Sequence, residues 1–88
     1  MINKRRSEIG ILGEILKLAQ DGIKKTHIQY KANLSYSQLQ TFLKFAVDKG
    51  LLEEVQHNPY LGYRTTERGL ELLALIKEMK SYLGEGEQ

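Results

Sequence analysis

The sequence has no cysteine and no long run of apolar residues, and both absences limit what the protein can be. Without thiols there are no disulfide bonds, no thiolate zinc sites and no cysteine nucleophiles. The longest apolar run, residues 72–76, is far shorter than the roughly 20 residues that cross a bilayer. The basic residues 1–6 lead into no apolar signal-peptide core. We therefore expect an intracellular, cytoplasmic protein without a membrane partner.

The chain is long enough for one domain with a modest core. It has 88 residues, of which 41% are hydrophobic and 27% charged, as in an ordinary folded domain. We expect the domain to occupy residues 1–83 and residues 84–88 to form a flexible tail.

Charge is divided unevenly along the chain. Residues 1–50 hold nine basic and four acidic residues, a net charge of +5, whereas residues 51–88 hold four basic and seven acidic residues, a net charge of −3. A basic half that faces a polyanion explains this asymmetry, and so does an uneven scatter of surface charge. The imbalance favours nucleic acid only weakly.

Capping residues and apolar periodicity predict a helix at each end of the domain. The first begins at Ser7 and runs to about Gln20, and Gly22 stops it. The last begins after Thr66, with Glu67 in its first turn. It is expected to end near residue 83.

Two capping boxes in close succession predict a helix-turn-helix. Residues 26–29 place a threonine and a glutamine three positions apart, and residues 35–38 do the same with a serine. The turn between them contains Asn33, which tolerates a left-handed backbone, and Leu34, which we expect to be buried between the helices. The second helix should continue to residue 49.

A hairpin follows the helix-turn-helix. Residues 51–56 and 63–65 are typical of paired strands, and residues 57–62 carry the turn residues of a loose loop. Residues 22–25, before the motif, are expected to be a short extended link. The predicted fold is mainly α with a small β-hairpin, a winged helix-turn-helix with an additional C-terminal helix.

The helix over residues 35–49 divides into an apolar and a polar face. The apolar face, which we expect in the core, comprises Tyr36, Leu39, Phe42, Leu43, Ala46 and Val47. The polar face comprises Ser35, Ser37, Gln38, Gln40, Thr41 and Lys44. Its only acid, Asp48, is at the far end. Glutamine suits adenine and lysine suits guanine or phosphate, so we predict that this helix enters the major groove of DNA.

Phosphate contacts are expected beside that helix. Lys24, Lys25 and Lys31 are at or near the first helix of the motif, where the DNA backbone passes. Residues 4–6, Lys-Arg-Arg, form either an N-terminal arm on DNA or a solvated start.

The hairpin is a less basic candidate for contact with DNA. Arg64 is its only fixed cation, with His57 and Asn58 available for hydrogen bonds. Glu53 and Glu54 should point to opposite faces and disfavour close contact with phosphate. We expect Arg64 to be the wing residue that touches DNA.

These residues resemble a known family. The segments 26–36, 49–51 and 63–69 are similar to the archaeal winged-helix family of small transcriptional regulators and chromatin-type DNA-binding proteins. The similarity covers residues 8–83, and residues 30–36, Tyr-Lys-Ala-Asn-Leu-Ser-Tyr, are its most specific part. It implies DNA binding and, in some members, a homodimer joined through the C-terminal helices.

The last helix, residues 67–83, carries two apolar stripes. One stripe, suited to the domain core, comprises Leu70, Leu73, Ile76 and Leu83. The other has the spacing of a coiled-coil seam and comprises Leu72, Leu75, Met79 and Tyr82. Either the first helix covers both stripes, or the second stripe binds the same helix of another subunit. We predict the homodimer.

No catalytic or ligand-binding motif is found. His27 and His57 have no second ligand at metal spacing, and Glu53 and Glu54 are adjacent on a strand rather than paired across a cleft. We expect no enzyme, cofactor, metal or small-molecule ligand. Tyr30, Tyr36 and Tyr63 are expected at the edge of the core.

Two functions fit these features. The first is a nucleoid-associated DNA-binding protein, either a transcriptional regulator or a less selective chromatin-type protein. The second is a winged helix used for protein–protein contact. The polar helix over residues 35–49 favours the first, whereas the modest net charge of +2 and the poorly basic hairpin keep the second open.

Overall fold

The computed structural model describes residues 7–57 and 59–84, which form four helices and a three-stranded sheet. In chain order the elements are α1 (Glu8–Leu18), β1 (Ile23–Lys24), α2 (Lys25–Ala32), α3 (Tyr36–Asp48), β2 (Leu52–His57), β3 (Tyr60–Thr65) and α4 (Glu67–Leu83). The predicted winged-helix order is confirmed. The predicted arm (residues 4–6), Asn58 and the tail beyond residue 84 are outside the described residues.

Three of the four predicted helix caps are present. The Ser7 and Thr66 hydroxyls accept hydrogen bonds from the backbone N–H groups of Gly10 (2.9 Å) and Gly69 (3.0 Å). At Ser35 the capping box is complete, because the Ser35 hydroxyl accepts from the Gln38 N–H at 3.1 Å and the Gln38 side chain accepts from the Ser35 N–H at 3.0 Å. These bonds satisfy N–H groups that have no partner within the helix.

The predicted cap at Thr26 is wrong. Helix α2 begins at Lys25, and Lys24 occupies the N-cap position with an extended backbone and no side-chain cap bond. The cause is long-range pairing: Ile23 pairs with Tyr63 and Lys24 with Gly62, so the predicted extended link is a strand. That strand leads directly into the helix and places Thr26 within the first turn.

The turn of the helix-turn-helix is as predicted. Asn33 has φ 56° and ψ 55° and ends α2 in the left-handed region, where its short polar side chain is tolerated. Leu34 is buried between the helices. At the other end of α3, Gly50 has a positive φ of 76°, a backbone that glycine adopts without strain.

The hairpin is tighter than predicted. His57 pairs with Tyr60, so only two residues connect β2 and β3 instead of a six-residue loop. The sheet order is β1-β3-β2, and all pairs are antiparallel. A Cβ atom at Gly62 would lie 2.7 Å from the Ile23 carbonyl oxygen, so this glycine lets β1 approach β3.

Hydrogen bonds and close packing hold the start of the C-terminal helix against the domain. The Thr65 hydroxyl donates to the Leu16 carbonyl at 2.7 Å, and the Thr66 hydroxyl donates to the Gly50 carbonyl at 2.6 Å. A Cβ atom at Gly69 would collide with the Leu51 carbonyl oxygen. Position 69 therefore requires glycine for the helix to pack this closely.

The core lies between α1, the helix-turn-helix and one face of the sheet. Its buried apolar residues are Ile11, Leu12, Ile15, Leu16, Ala19, Ile28, Ala32, Leu34, Leu39, Leu43, Ala46, Leu51, Leu52, Tyr63 and Leu73. Within residues 7–57 and 59–84, no helix combines the length and the hydropathy that crossing a bilayer demands.

Only half of the predicted core stripe of α4 is buried. Leu73 and Ile76 are buried, with Ile76 next to Gly13 of α1, whereas Leu70 and Leu83 are exposed. Three residues fall about 60° short of a full helical turn, so a stripe of residues spaced by three winds around the helix. Leu70 therefore points away from the core that Leu73 and Ile76 enter. Leu83 is about two turns beyond the last buried residue.

Candidate nucleic-acid interface

Helix α3 has its apolar face in the core and its polar face in solvent. Leu39, Leu43 and Ala46 are buried, and Phe42 and Val47 pack partly against the core. All the residues predicted for base contact are exposed, namely Ser35, Ser37, Gln38, Gln40, Thr41 and Lys44. The helix thus offers polar side chains over about two and a half turns, beside the half-exposed ring of Phe45.

Two of these polar side chains have internal partners. The amide oxygen of Gln38 is used in the capping box, and the Thr41 hydroxyl donates to the Ser37 carbonyl at 3.1 Å. Gln38 therefore has its amide nitrogen to offer a base, while the Thr41 oxygen retains its lone pairs.

Two tyrosines predicted at the core edge are instead on the surface. Tyr30 is 85% exposed and Tyr36 is 61% exposed, whereas Tyr63 is buried as expected. Tyr36 is the first residue of α3, one turn before Leu39, the first residue of that helix that is buried. The Lys25 ammonium lies 5.3 Å from the centre of the Tyr36 ring, within the range of a cation–π contact.

A groove of about 370 Å³ separates α3 from the hairpin, and we call it the helix–wing groove. It is lined by Lys25, Gln40, Leu43, Lys44, Val47, Asp48, Glu54, Leu61 and Tyr63. Two lysines and two carboxylates face each other here, and the Lys44 ammonium forms an ion pair of 3.2 Å with Asp48. Burial raises the pKa of Tyr63, with smaller contributions from Glu54 and Tyr36.

The opposite face of the sheet carries two of the other predicted cations, Lys24 and Arg64. Successive strand residues point to opposite faces, so Arg64 is directed away from the groove that its neighbour Tyr63 lines. Its guanidinium forms an ion pair of 3.0 Å with Glu53, its cross-strand partner. The Lys24 ammonium lies 3.8 Å from the centre of the Tyr60 ring at the tip of the hairpin.

The five predicted phosphate-binding residues therefore do not form one cluster. Lys25 and Lys44 line the helix–wing groove, Lys24 and Arg64 are on the outer face of the sheet, and Lys31 is exposed on α2. Tyr36 was expected in the core and Tyr60 had no predicted role, yet their rings contact the Lys25 and Lys24 ammonium groups. A shorter predicted turn would have placed Tyr60 on a strand, on the same face as Arg64.

The end of α4 presents an apolar surface that the domain leaves uncovered. Leu75, Met79 and Tyr82 are 61%, 41% and 83% exposed, and with Glu78 and Leu83 they line a shallow groove of about 310 Å³. Leu72 differs, because it packs partly against the core. Helix α1 therefore covers the buried stripe of α4 but not this seam.

Metal-binding geometry is not seen in the part of the chain that the structure describes. No three His, Asp or Glu side chains there are placed to hold a metal ion. His27 is exposed on α2, and the side chain of His57 is outside the described atoms.

These features define a winged helix-turn-helix domain with an extra C-terminal helix. The winged helix-turn-helix family model matches residues 5–83. The chain belongs to this family, and the resemblance found in the sequence is confirmed. No curated protein matches it significantly.

Solved structures share the fold. Sso10a-2, a DNA-binding protein from Sulfolobus solfataricus, is 26% identical with a TM-score of 0.82, over 90% of this chain and 83% of that one. Sco5413, a MarR family transcriptional regulator from Streptomyces coelicolor, is 14% identical with a TM-score of 0.73, over 83% of this chain and 54% of that one.

A third structure extends the comparison. MepR, a transcription regulator of the Staphylococcus aureus multidrug efflux pump MepA, is 20% identical with a TM-score of 0.66, over 83% of this chain and 61% of that one. The chain thus spans little more than half the length of Sco5413 and MepR, and at these identities the likeness concerns the fold alone.

Proposed function

We propose that the protein binds double-stranded DNA by inserting α3 into the major groove. The observation that carries this proposal is the exposed face of α3 from Ser35 to Lys44, which holds hydroxyl, amide and ammonium groups and no acid. A capping box fixes its amino-terminal end. The first turns of a recognition helix are those that reach base edges, and their shape must be held for them to do so.

The comparisons support this proposal. Winged helix-turn-helix membership provides a scaffold in which one helix can enter a groove. Sso10a-2, which has 26% identity and matches nine tenths of this chain, is described as a DNA-binding protein. Amide and hydroxyl groups on α3 favour a sequence-preferring regulator over a chromatin-type protein that binds all duplexes alike.

We also propose that two copies associate through α4. Leu75, Met79 and Tyr82 follow one another at intervals of four and three residues, the spacing of a helix–helix seam, and all three are exposed. A second copy of the same seam is the simplest apolar surface of matching shape, because a two-fold axis pairs a patch with itself. The dimer would present two α3 helices to one duplex.

The salt dependence of binding tests the DNA proposal. We expect log Kd to change with log salt with a slope of magnitude about 3 to 5 per protomer, since each phosphate contact contributes about 0.9. Lys25→Ala and Lys31→Ala should each reduce the magnitude of the slope by about 0.9, the contribution of one phosphate contact. The control is Lys77→Ala, an exposed lysine of α4, which should leave the slope unchanged.

Absence of duplex binding would support the second candidate function, a module for protein–protein contact. The exposed apolar end of α4 is the feature that favours it. An affinity that does not vary between low and moderate salt has the same consequence, since contacts with phosphates always release counterions.

A further inference from the structure

The helix–wing groove lies between the two elements that a winged helix brings to DNA, yet its charges are balanced. Lys25 and Lys44 are matched by Asp48 and Glu54 among the residues that line it. A groove built only to hold phosphate would not need the two carboxylates, because like charges repel. They therefore call for an explanation beyond DNA binding itself.

One of these acids, Asp48, already forms an ion pair with Lys44, the cation that α3 offers to DNA. Asp48 is one helical turn after Lys44, and its Oδ2 atom lies 3.2 Å from the Lys44 ammonium. Both side chains are exposed, at 79% and 59%. An exposed ion pair of this kind has little effect on stability. A DNA phosphate can therefore take the place of Asp48 beside Lys44, but the ion pair must break for this to happen.

A structural role does not account for Asp48. An acid in the last turn of a helix interacts unfavourably with the helix dipole, and α3 ends instead through Lys49 and the left-handed Gly50. The position therefore costs the helix a little stability and contributes only the contact to Lys44.

We propose that Asp48 is an internal competitor for Lys44 that lowers the affinity of the protein for DNA. The inference rests on the proposed function. In the free protein Asp48 holds the ammonium that would otherwise meet a phosphate or a guanine. Where the Lys44 ammonium meets phosphate, weaker binding through it leaves a larger share of the discrimination to the neutral side chains of α3.

A double-mutant cycle tests the competition directly. Duplex binding is measured for the wild type, Asp48→Asn, Lys44→Ala and the double variant, each at several salt concentrations. Asp48→Asn should tighten binding about two- to five-fold and steepen the salt slope by about 0.9. In the Lys44→Ala background the same change should alter Kd by less than about two-fold.

Two controls accompany the cycle. Glu71→Gln removes one negative charge from the exposed surface of α4, so it tests for an effect of net charge alone and should leave Kd unchanged. Circular dichroism should show that all variants are folded, since neither Asp48 nor Lys44 is buried.

The outcomes separate this inference from the proposed function. If the wild type does not bind duplex DNA, the proposed function fails and the inference with it. If the wild type binds but Asp48→Asn does not tighten binding, only the inference is overturned. If Asp48→Asn tightens binding equally without Lys44, the carboxylate acts by direct repulsion of phosphate and the competitor role is wrong.

Discussion

Helices α3 and α4 both bury an apolar face, but their exposed faces differ in chemical character. In α3 the core residues are Leu39 and Leu43, and in α4 they are Leu73 and Ile76. On the exposed side, α3 presents mostly polar groups, together with the Phe45 ring and the Asp48 carboxylate, whereas α4 presents an apolar seam over residues 75–82. Each helix packs one apolar stripe on the core, and the two helices therefore differ only in what they leave exposed.

The difference indicates which kind of partner each helix suits. A polar face exchanges hydrogen bonds with water for hydrogen bonds with bases and phosphates at little net cost. An apolar face gains free energy when another apolar surface covers it. We therefore assign DNA to α3 and a second protein chain to α4, and the following predictions test that assignment.

The largest expected effects are on the buried faces, where the two helices should behave alike. Leu39→Ala and Leu73→Ala should each reduce the free energy of unfolding by about 2–5 kcal/mol, because each leaves a cavity in the core. Urea unfolding followed by circular dichroism measures both. A cost below about 1 kcal/mol for Leu73→Ala would mean that α4 is not integral to the domain.

The next largest effect should be confined to the exposed seam of α4. Leu75→Lys with Met79→Lys puts four like charges into a two-fold interface, and buried unpaired charge costs several kcal/mol. We expect sedimentation to show a folded monomer in place of the dimer proposed for the wild type. Ala74→Lys with Ser81→Lys adds the same charge to the other side of the helix and should leave the dimer intact.

Either of two results contradicts the assignment of α4. A wild-type protein that is monomeric at high concentration rules out the dimer. A double variant that unfolds as a monomer means that residues 75 and 79 belong to the domain's own core, despite their exposure.

A smaller effect is expected on the exposed face of α3. Gln40→Ala and Thr41→Ala should each remove about 1–3 kcal/mol of discrimination between preferred and other duplexes. Gln38 was predicted in the same role, but its substitution would also break the capping box. Lys25→Ala serves as the control and should weaken binding to all duplexes alike. If Lys25→Ala changes the preferred sequence while Gln40→Ala does not, α3 is placed wrongly in the groove.

The smallest effects concern the helix caps. Ser35→Ala should cost about 1 kcal/mol of stability, as measured by thermal unfolding, and Thr66→Ala should cost more, because its hydroxyl also donates to the Gly50 carbonyl. Only Ser35→Ala should also weaken DNA binding, because Ser35 orders the end of α3 that we propose meets the bases. Equal losses of DNA affinity in both variants would show that affinity follows stability alone.

Local signals in the sequence predicted most of the fold. The caps at Ser7, Ser35 and Thr66 and the left-handed Asn33 depend on interactions within a few residues, and all four are confirmed. The division of α3 into two faces is also confirmed except at Tyr36, because helical periodicity is visible in one segment.

The errors arose where distant residues decide the structure. Strand β1 exists only because β3, almost 40 residues later, pairs with it, and this pairing moved the start of α2 away from Thr26. The overlong hairpin loop concealed the register of β3. Without that register, the sequence could not show that Arg64 points away from the groove that Lys25 lines.

Methylation interference measures most directly whether α3 reads the major groove. Dimethyl sulfate modifies guanine at N7, which faces the major groove, and adenine at N3, which faces the minor groove. Partly methylated duplexes that contain a preferred site are separated into bound and free fractions. The account predicts that methylated guanines within the site are depleted from the bound fraction, and that Gln40→Ala and Thr41→Ala alter this pattern. Depletion confined to adenine N3 would contradict the insertion of α3 into the major groove.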